Sequence, residues 1–122
     1  MIKLPQTEEQ LMEYIWELKE AFAKELMDKY PEPKPAQTTL ATLLKRLADK
    51  GFITYKTFGN SRAYTPLINK EDYFSEQVSK MVENFFGNSA LKFASFFTQK
   101  SNMTKSELEQ LKKIVENQLK NQ

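Results

Sequence analysis

Thr38, Thr39 and Thr42, followed by Lys45 and Arg46, are the residues whose types and spacing suggest a chemistry, and it is recognition rather than catalysis. Short side chains bearing hydroxyl and methyl groups can touch base edges in a DNA major groove, while long cations reach phosphates. Lys34 upstream, and Lys56 and Arg62 downstream, extend the cationic set. Catalysis has little to work with. The 122 residues include no cysteine and no histidine, which excludes disulfides, thiolate nucleophiles, thiolate or imidazole metal sites and the usual base near neutral pH. Only carboxylate, lysine or tyrosine chemistry is left, so no enzyme, no metal and no cofactor are expected.

The elements that must position these residues can be read from the stretch Pro35 to Pro66. Leu40, Leu43, Leu44 and Leu47 fall at i, i+3, i+4 and i+7, so one narrow face of a helix is apolar and must pack on a core. At 100° per residue the opposite side carries Thr38, Thr42, Lys45 and Asp49, flanked by Thr39 and Arg46. Gly51 can end the helix as a left-handed cap. Phe52 to Phe58 (FITYKTF) is rich in β-branched and aromatic residues, Gly59-Asn60-Ser61 is turn chemistry, and Arg62 to Thr65 can return as a second strand. A helix followed by a basic hairpin is the plan of a winged helix-turn-helix. The leucines by themselves say only that the helix packs, and surface Thr, Lys and Arg are common. The nucleic-acid reading rests on the opposite stripe and the hairpin together.

Charge follows the same division. Residues 1–33 hold four lysines against eight acids, whereas residues 34–66 hold Lys34, Lys45, Arg46, Lys50, Lys56 and Arg62 against Asp49 alone. Positive charge therefore collects where the geometric argument places the DNA surface, within a chain whose formal net charge is only +2. With 40% hydrophobic and 28% charged residues, the chain can bury one real core and a small second unit. No apolar run approaches the roughly 20 residues of a membrane span, and MIKLPQTEEQ lacks the apolar centre of a signal peptide. A cytoplasmic protein without membrane insertion is expected.

Taken in order, Thr7 and Gln10 suggest a capping box opening a first helix, with Leu11, Met12, Tyr14, Ile15, Trp16 and Leu18 as its apolar face. A second helix is expected from Glu20 to Lys29. Pro31, Pro33 and Pro35 then force an extended connection to the recognition helix. After the wing, Asn69 is a good N-cap for a helix bearing Phe74, Val78, Met81, Val82 and Phe85, and Gly87-Asn88 breaks it. A shorter helix from Ala90 to Gln99 carries Leu91, Phe93, Ala94, Phe96 and Phe97. Thr104 and Glu107 form a capping box for a last helix, with Leu108, Leu111, Val115 and Leu119 as its stripe and Met103 with Leu108 as a hydrophobic staple. Three short helices with this many aromatics cannot bury one another completely, and a second copy of the same surface is the natural cover. The expected architecture is mostly α with a small β-hairpin wing: a winged-helix DNA-binding domain over residues 1–69 and a helical dimerisation domain over residues 70–122. Phe74, Val78, Met81, Phe85, Leu111 and Val115 are the expected dimer seam.

The block Thr38-Thr39-Leu40-x-Thr42-Leu43-Leu44-Lys45-Arg46-Leu47, then Lys50-Gly51, then Arg62-x-Tyr64-x-Pro66-Leu67, with Leu108-Glu109-x-Leu111, resembles the penicillinase and methicillin-resistance repressors of the BlaI/MecI type. The resemblance spans nearly the whole chain. It implies a homodimeric winged-helix repressor on a palindromic double-stranded operator, often with TACA/TGTA half-sites, with Thr38, Thr39, Thr42 and Arg46 at the DNA-contacting positions and Arg62 in the basic wing. Copper-sensing members carry cysteines near the C-terminus, and this chain has none. Members that sense β-lactams are cleaved at an Asn-Phe bond in the dimerisation domain when a membrane-bound sensor metalloprotease is activated. Here the matching stretch reads Ala94-Ser95-Phe96-Phe97, which puts the corresponding proteolytic switch at Ser95 and Phe96, while the chain's one Asn-Phe pair is Asn84-Phe85, a helix earlier.

Two other readings compete with a dimeric repressor. A ligand-sensing winged-helix regulator would hold an effector between the aromatic C-terminal helices, and a ligand-dependent shift in melting temperature would single it out. A winged-helix protein-interaction adaptor would lack the steep salt dependence of a DNA binder.

Overall fold

The computed structural model describes all residues from Met1 to Gln122. The elements are α1 (Gln6–Leu18), β1 (Ala21–Phe22), α2 (Ala23–Lys29), α3 (Gln37–Asp49), β2 (Ile53–Phe58), β3 (Ser61–Pro66), α4 (Lys70–Phe85), α5 (Ala90–Lys100) and α6 (Lys105–Lys120). They fall into two compact units, Met1–Gln77 and Val78–Gln122. The first is a winged helix: α1, α2 and α3 pack with a three-stranded antiparallel sheet of order β1-β3-β2.

The leucine seam sits in the core of that unit, with Leu40, Leu43, Leu44 and Leu47 all at 7% exposure or less. Around them lie Leu4, Leu11, Met12, Ile15, Leu26, Phe52 and Ile53. The end of α3 is a Schellman stop. Gly51, at φ +80°, donates its N–H to the Ala48 carbonyl at 3.0 Å, and Phe52 donates to the Leu47 carbonyl at 3.0 Å. The stop turns the chain so that Phe52 enters the core and β2 begins. β2 and β3 then pair from Ile53↔Pro66 to Phe58↔Ser61. The loop is therefore two residues, Gly59-Asn60, one shorter than the turn chemistry suggests, because Ser61 already pairs. Gly59 takes φ +59° at the first of these positions, where a type II′ turn needs it.

Two early expectations are corrected. The first helix does not use a Thr7 capping box; it starts at Gln6 with Pro5 at the N-cap, whose carbonyl accepts from the N–H groups of Glu8 (3.0 Å) and Glu9 (2.9 Å). Pro5 has a preset φ and Leu4 beside it is buried, so the chain enters the helix two residues earlier than the side-chain signal implies. The second helix does not start at Glu20. Lys19 closes α1 at φ +68°, Ala21 and Phe22 extend to pair with Tyr64 and Ala63 of β3, and α2 begins only at Ala23. Helical spacing in this stretch cannot reveal a strand of two residues, because its partner lies some forty positions downstream.

The first unit also runs past residue 69, to Gln77. Tyr73, near the start of α4, is fully buried against Phe52 and Trp16, with ring centroids at 5.7 and 6.0 Å. Its hydroxyl accepts from the Leu4 N–H at 2.8 Å and donates to the Glu9 carboxylate. Trp16 donates its indole N–H to the Ile68 carbonyl at 2.8 Å. The Asn69 side chain caps α4 as its type suggests, accepting from the Asp72 N–H at 2.7 Å.

In the second unit, Gly87 and Asn88 take φ +60° and +58° and end α4 as expected. Ser89 caps α5 and Thr104 caps α6, the latter as a full capping box with Glu107. Phe86, Phe93, Phe96 and Phe97 form a chain of ring contacts 5.3 to 5.9 Å apart. No residue of α5 or α6 is buried.

Burial, and then the hydrogen bond to Glu9, push the Tyr73 phenol from 10.0 up to about 12. The folded state therefore keeps a proton that the unfolded chain gives up between pH 10 and about 12. Stability that is whole below pH 10 should fall across that window, by about 2 to 3 kcal/mol at its end. Urea unfolding of wild type and Tyr73→Phe from pH 9 to 12 checks this: the variant should lack that part of the alkaline loss, while being about 1 to 3 kcal/mol less stable at pH 8 because the Leu4 N–H loses its acceptor.

Candidate nucleic-acid interface

The candidate surface is the side of α3 away from its leucines. Thr38, Thr39, Thr42, Lys45 and Arg46 are all exposed there, in the order the 100° spacing dictates. The Thr42 hydroxyl donates to the Thr38 carbonyl at 2.9 Å, a local bond that fixes its rotamer and leaves the oxygen free to accept from a base. Lys45 pairs with Asp49 one turn on at 2.9 Å, and the Asp49 carboxylate holds the ammonium above its ordinary value, through that hydrogen bond first and charge second. The pair is solvent-exposed and weak, so a phosphate can displace the carboxylate.

Two of the basic segment's cations serve the fold instead. Lys34, expected to reach a phosphate, turns back on the end of α2 and donates to the carbonyls of Tyr30 (2.6 Å), Met27 (3.1 Å) and Asp28 (3.4 Å). It caps a helix whose last carbonyls have no partner within the helix and whose C-terminal dipole favours a cation. Lys50 pairs with Glu8, a carboxylate only 2% exposed, and so ties the end of α3 to the start of α1.

The wing supplies Lys56 and Arg62, both exposed, on opposite faces of the hairpin. Alternation places Tyr55 and Thr57 on the same face as Arg62 and Tyr64. The Arg62 guanidinium lies 4.3 Å from the centre of the Tyr55 ring, a cation–π contact that holds the long side chain in place. Charge alone does not point to Tyr55 as a partner of Arg62. The signal lay in the two-residue alternation, which sets it diagonally across from Arg62.

The other candidates fall where the helices carry them. Phe74 belongs to the first unit and packs on Trp16 and Tyr73. Val78, Met81, Phe85 and Val115 are exposed, Phe85 at 80%, and Leu111 is half-buried. Ser95 and Phe96 are exposed within α5.

Comparison with known proteins bears on the same elements. The penicillinase repressor family model matches residues 4–117. The chain belongs to the penicillinase repressor family. It is 24% identical over 120 residues to the penicillinase repressor of Bacillus licheniformis, covering 95% of this chain and 94% of that protein. The solution structure of the DNA-binding domain of the repressor BlaI superposes with a TM-score of 0.50 at 30% identity, covering 60% of this chain and 94% of that domain. The protein is thus a winged-helix member of a family of transcriptional repressors, not of enzymes. No helix is long and apolar enough to cross a membrane.

Each phosphate neutralised contributes about −0.9 to the slope of log K against log salt, so Arg62→Ala should flatten that slope by roughly one unit. Lys34→Ala should leave the slope unchanged and instead lower stability by about 1 kcal/mol, through the uncapped carbonyls of α2. Fluorescence anisotropy over a salt series, with urea unfolding alongside, separates the two. Thr38→Ala should weaken specific binding by about 1 to 3 kcal/mol and leave binding to unrelated duplex nearly intact. Equal losses on both would make the threonines structural.

Proposed function

We propose that this repressor acts as a C2 homodimer on an inverted-repeat operator, the second units of two chains pairing so that two winged helices meet two half-sites. The observation that carries the reading is the second unit's inability to cover itself: α5 and α6 bury no residue, and Phe85, Leu91, Phe96, Phe97, Ile114, Val115 and Leu119 are all exposed. Apolar side chains exposed in this number are seldom left in water by a stable monomer, whereas an isologous interface covers each with its own copy. Val78, Met81, Phe85, Leu111 and Val115 are the proposed seam. Family resemblance extends the reading to TACA/TGTA half-sites, with Thr38, Thr39 and Thr42 at base edges and Lys45, Arg46, Lys56 and Arg62 at phosphates. It extends also to release by a membrane-bound sensor metalloprotease, for which the exposed Ser95–Phe96 bond is the proposed position.

In a dimer the second half-site is met intramolecularly, with a gain on the order of 10² to 10⁴ in apparent affinity when the spacing matches. Phe85→Asp puts a charge without a partner into that apolar seam. Sedimentation equilibrium should show wild type as a dimer at micromolar concentration and Phe85→Asp as a monomer, with operator affinity lower by about a hundredfold and single half-site affinity unchanged. A monomeric wild type that still binds the operator tightly would overturn the dimer.

A further inference from the structure

A groove of about 840 Å³ opens between α2, α3 and the wing, entirely within the first unit. Met27, Leu40, Ala41, Leu44 and Ala48 make an apolar wall, and the small Ala23, Ala41 and Ala48 leave it open. Tyr55 and Tyr64 make an aromatic wall on the wing side. The rim is polar, with Lys24, Asp28, Lys45, Asp49 and Arg62 around the mouth. Lys45 and Asp49 neutralise each other at 2.9 Å, while Arg62 is held over Tyr55 by its ring contact and has no acidic partner. The groove thus offers an apolar slot, an aromatic face and one preoriented guanidinium fork. Volume and lining are those of a small-molecule site, mostly apolar with a few placed polar groups.

We propose that this groove is an effector site for a planar aromatic carboxylate. The ring system slides between Ala41, Leu44 and Ala48 on one side and Tyr55 and Tyr64 on the other, and the carboxylate accepts both N–H bonds of the Arg62 fork. A carboxylate matches guanidinium geometry as a phosphate does, and an aromatic plane matches a slot whose walls are methyl groups and phenol rings. An aromatic amine would meet Asp28 but would leave Arg62 without a partner.

The consequence for DNA rests on the repressor reading. Arg62 is the wing cation proposed to meet a phosphate, and Lys45, at the groove mouth, belongs to the recognition stripe. A ligand that engages Arg62 competes for it, and the groove is bounded by the two elements whose spacing must fit the duplex. Occupancy therefore lowers operator affinity, and by linkage operator DNA lowers ligand affinity by the same factor.

The test uses the full-length protein and 2-naphthoate as the probe, with binding measured in the absence of DNA. Backbone amide shifts in ¹H–¹⁵N spectra should move for Ala41, Leu44, Ala48 and Tyr64 and give a dissociation constant on the order of 1 mM or tighter. Ala48→Leu fills the slot and should weaken binding about tenfold or more, as should Arg62→Ala. Ala23→Leu, at an exposed position on α2, is the second filling variant should Ala48→Leu fail to fold. Phe97→Ala, in the second unit, should bind 2-naphthoate as wild type does. Saturating 2-naphthoate should lower operator affinity about fivefold or more in wild type and not in the filled variant. Absence of binding, shifts confined to Phe93–Leu111, or undiminished binding by both filled variants would each overturn the site. Failure of operator binding without any ligand would strike the repressor reading instead, and the amide shifts would still decide the groove.

Discussion

The seating of Leu40, Leu43, Leu44 and Leu47 in the core is the constraint on which the exposed stripe of α3 depends. A helix turning 100° per residue cannot bury that seam without presenting Thr38, Thr42, Lys45 and Asp49 on the far side. Burying each leucine is worth about 1.5 to 3 kcal/mol, so the four together rival the whole net stability of a small domain. The opposite stripe contributes almost nothing to that sum. Thr38 and Thr42 can therefore change without disturbing the fold, while the seam cannot change without losing the helix's orientation. Gly51 carries the constraint into the wing. Its Schellman bonds drop Phe52 into the same core, and the direction of β2 follows from that anchor.

Charge along the sequence overstates how many cations the candidate surface has to offer. Six cations stand between residues 34 and 66, but Lys34 caps α2, Lys50 is tied to the buried Glu8, and Lys45 shares itself with Asp49. Arg46, Lys56 and Arg62 are the cations of the surface with no such acidic or carbonyl tie, and Arg62 is steadied by an aromatic ring rather than an acid. That difference matters chemically. A ring holds a guanidinium in place without competing for its N–H groups, so both prongs of the fork stay available to an oxyanion.

Features that depend on local periodicity or on one residue's conformational preference were legible in the sequence: the leucine seam, the exposed stripe opposite it, the Gly51 stop, the Thr104 box and the break at Gly87-Asn88. Features that depend on a distant partner were not. β1 exists because Ala21 and Phe22 find Tyr64 and Ala63, and no local pattern encodes that pairing. Tyr73 has the spacing of an ordinary helix face, yet its hydroxyl serves Leu4 and Glu9 nearly seventy positions away. Lys34 misled for the same reason: a lysine beside a recognition helix has the same composition signal whether it meets a phosphate or a carbonyl.

The two units meet their stability requirements differently, and the difference bears on regulation. The first has a continuous core of fifteen buried hydrophobic residues from Leu4 to Tyr73, closed by the Tyr73 and Trp16 hydrogen bonds, and needs no partner to hold its shape. The second has capped helices and an aromatic chain but no fully buried residue, so its order rests on whatever covers it. When that cover is a second copy, stability follows protein concentration by mass action, and the winged helix stays folded while the pairing is lost. Repression built this way ends when pairing ends. A cut or a charge in the second unit would then act on affinity through valency alone, leaving α3 and the wing unchanged.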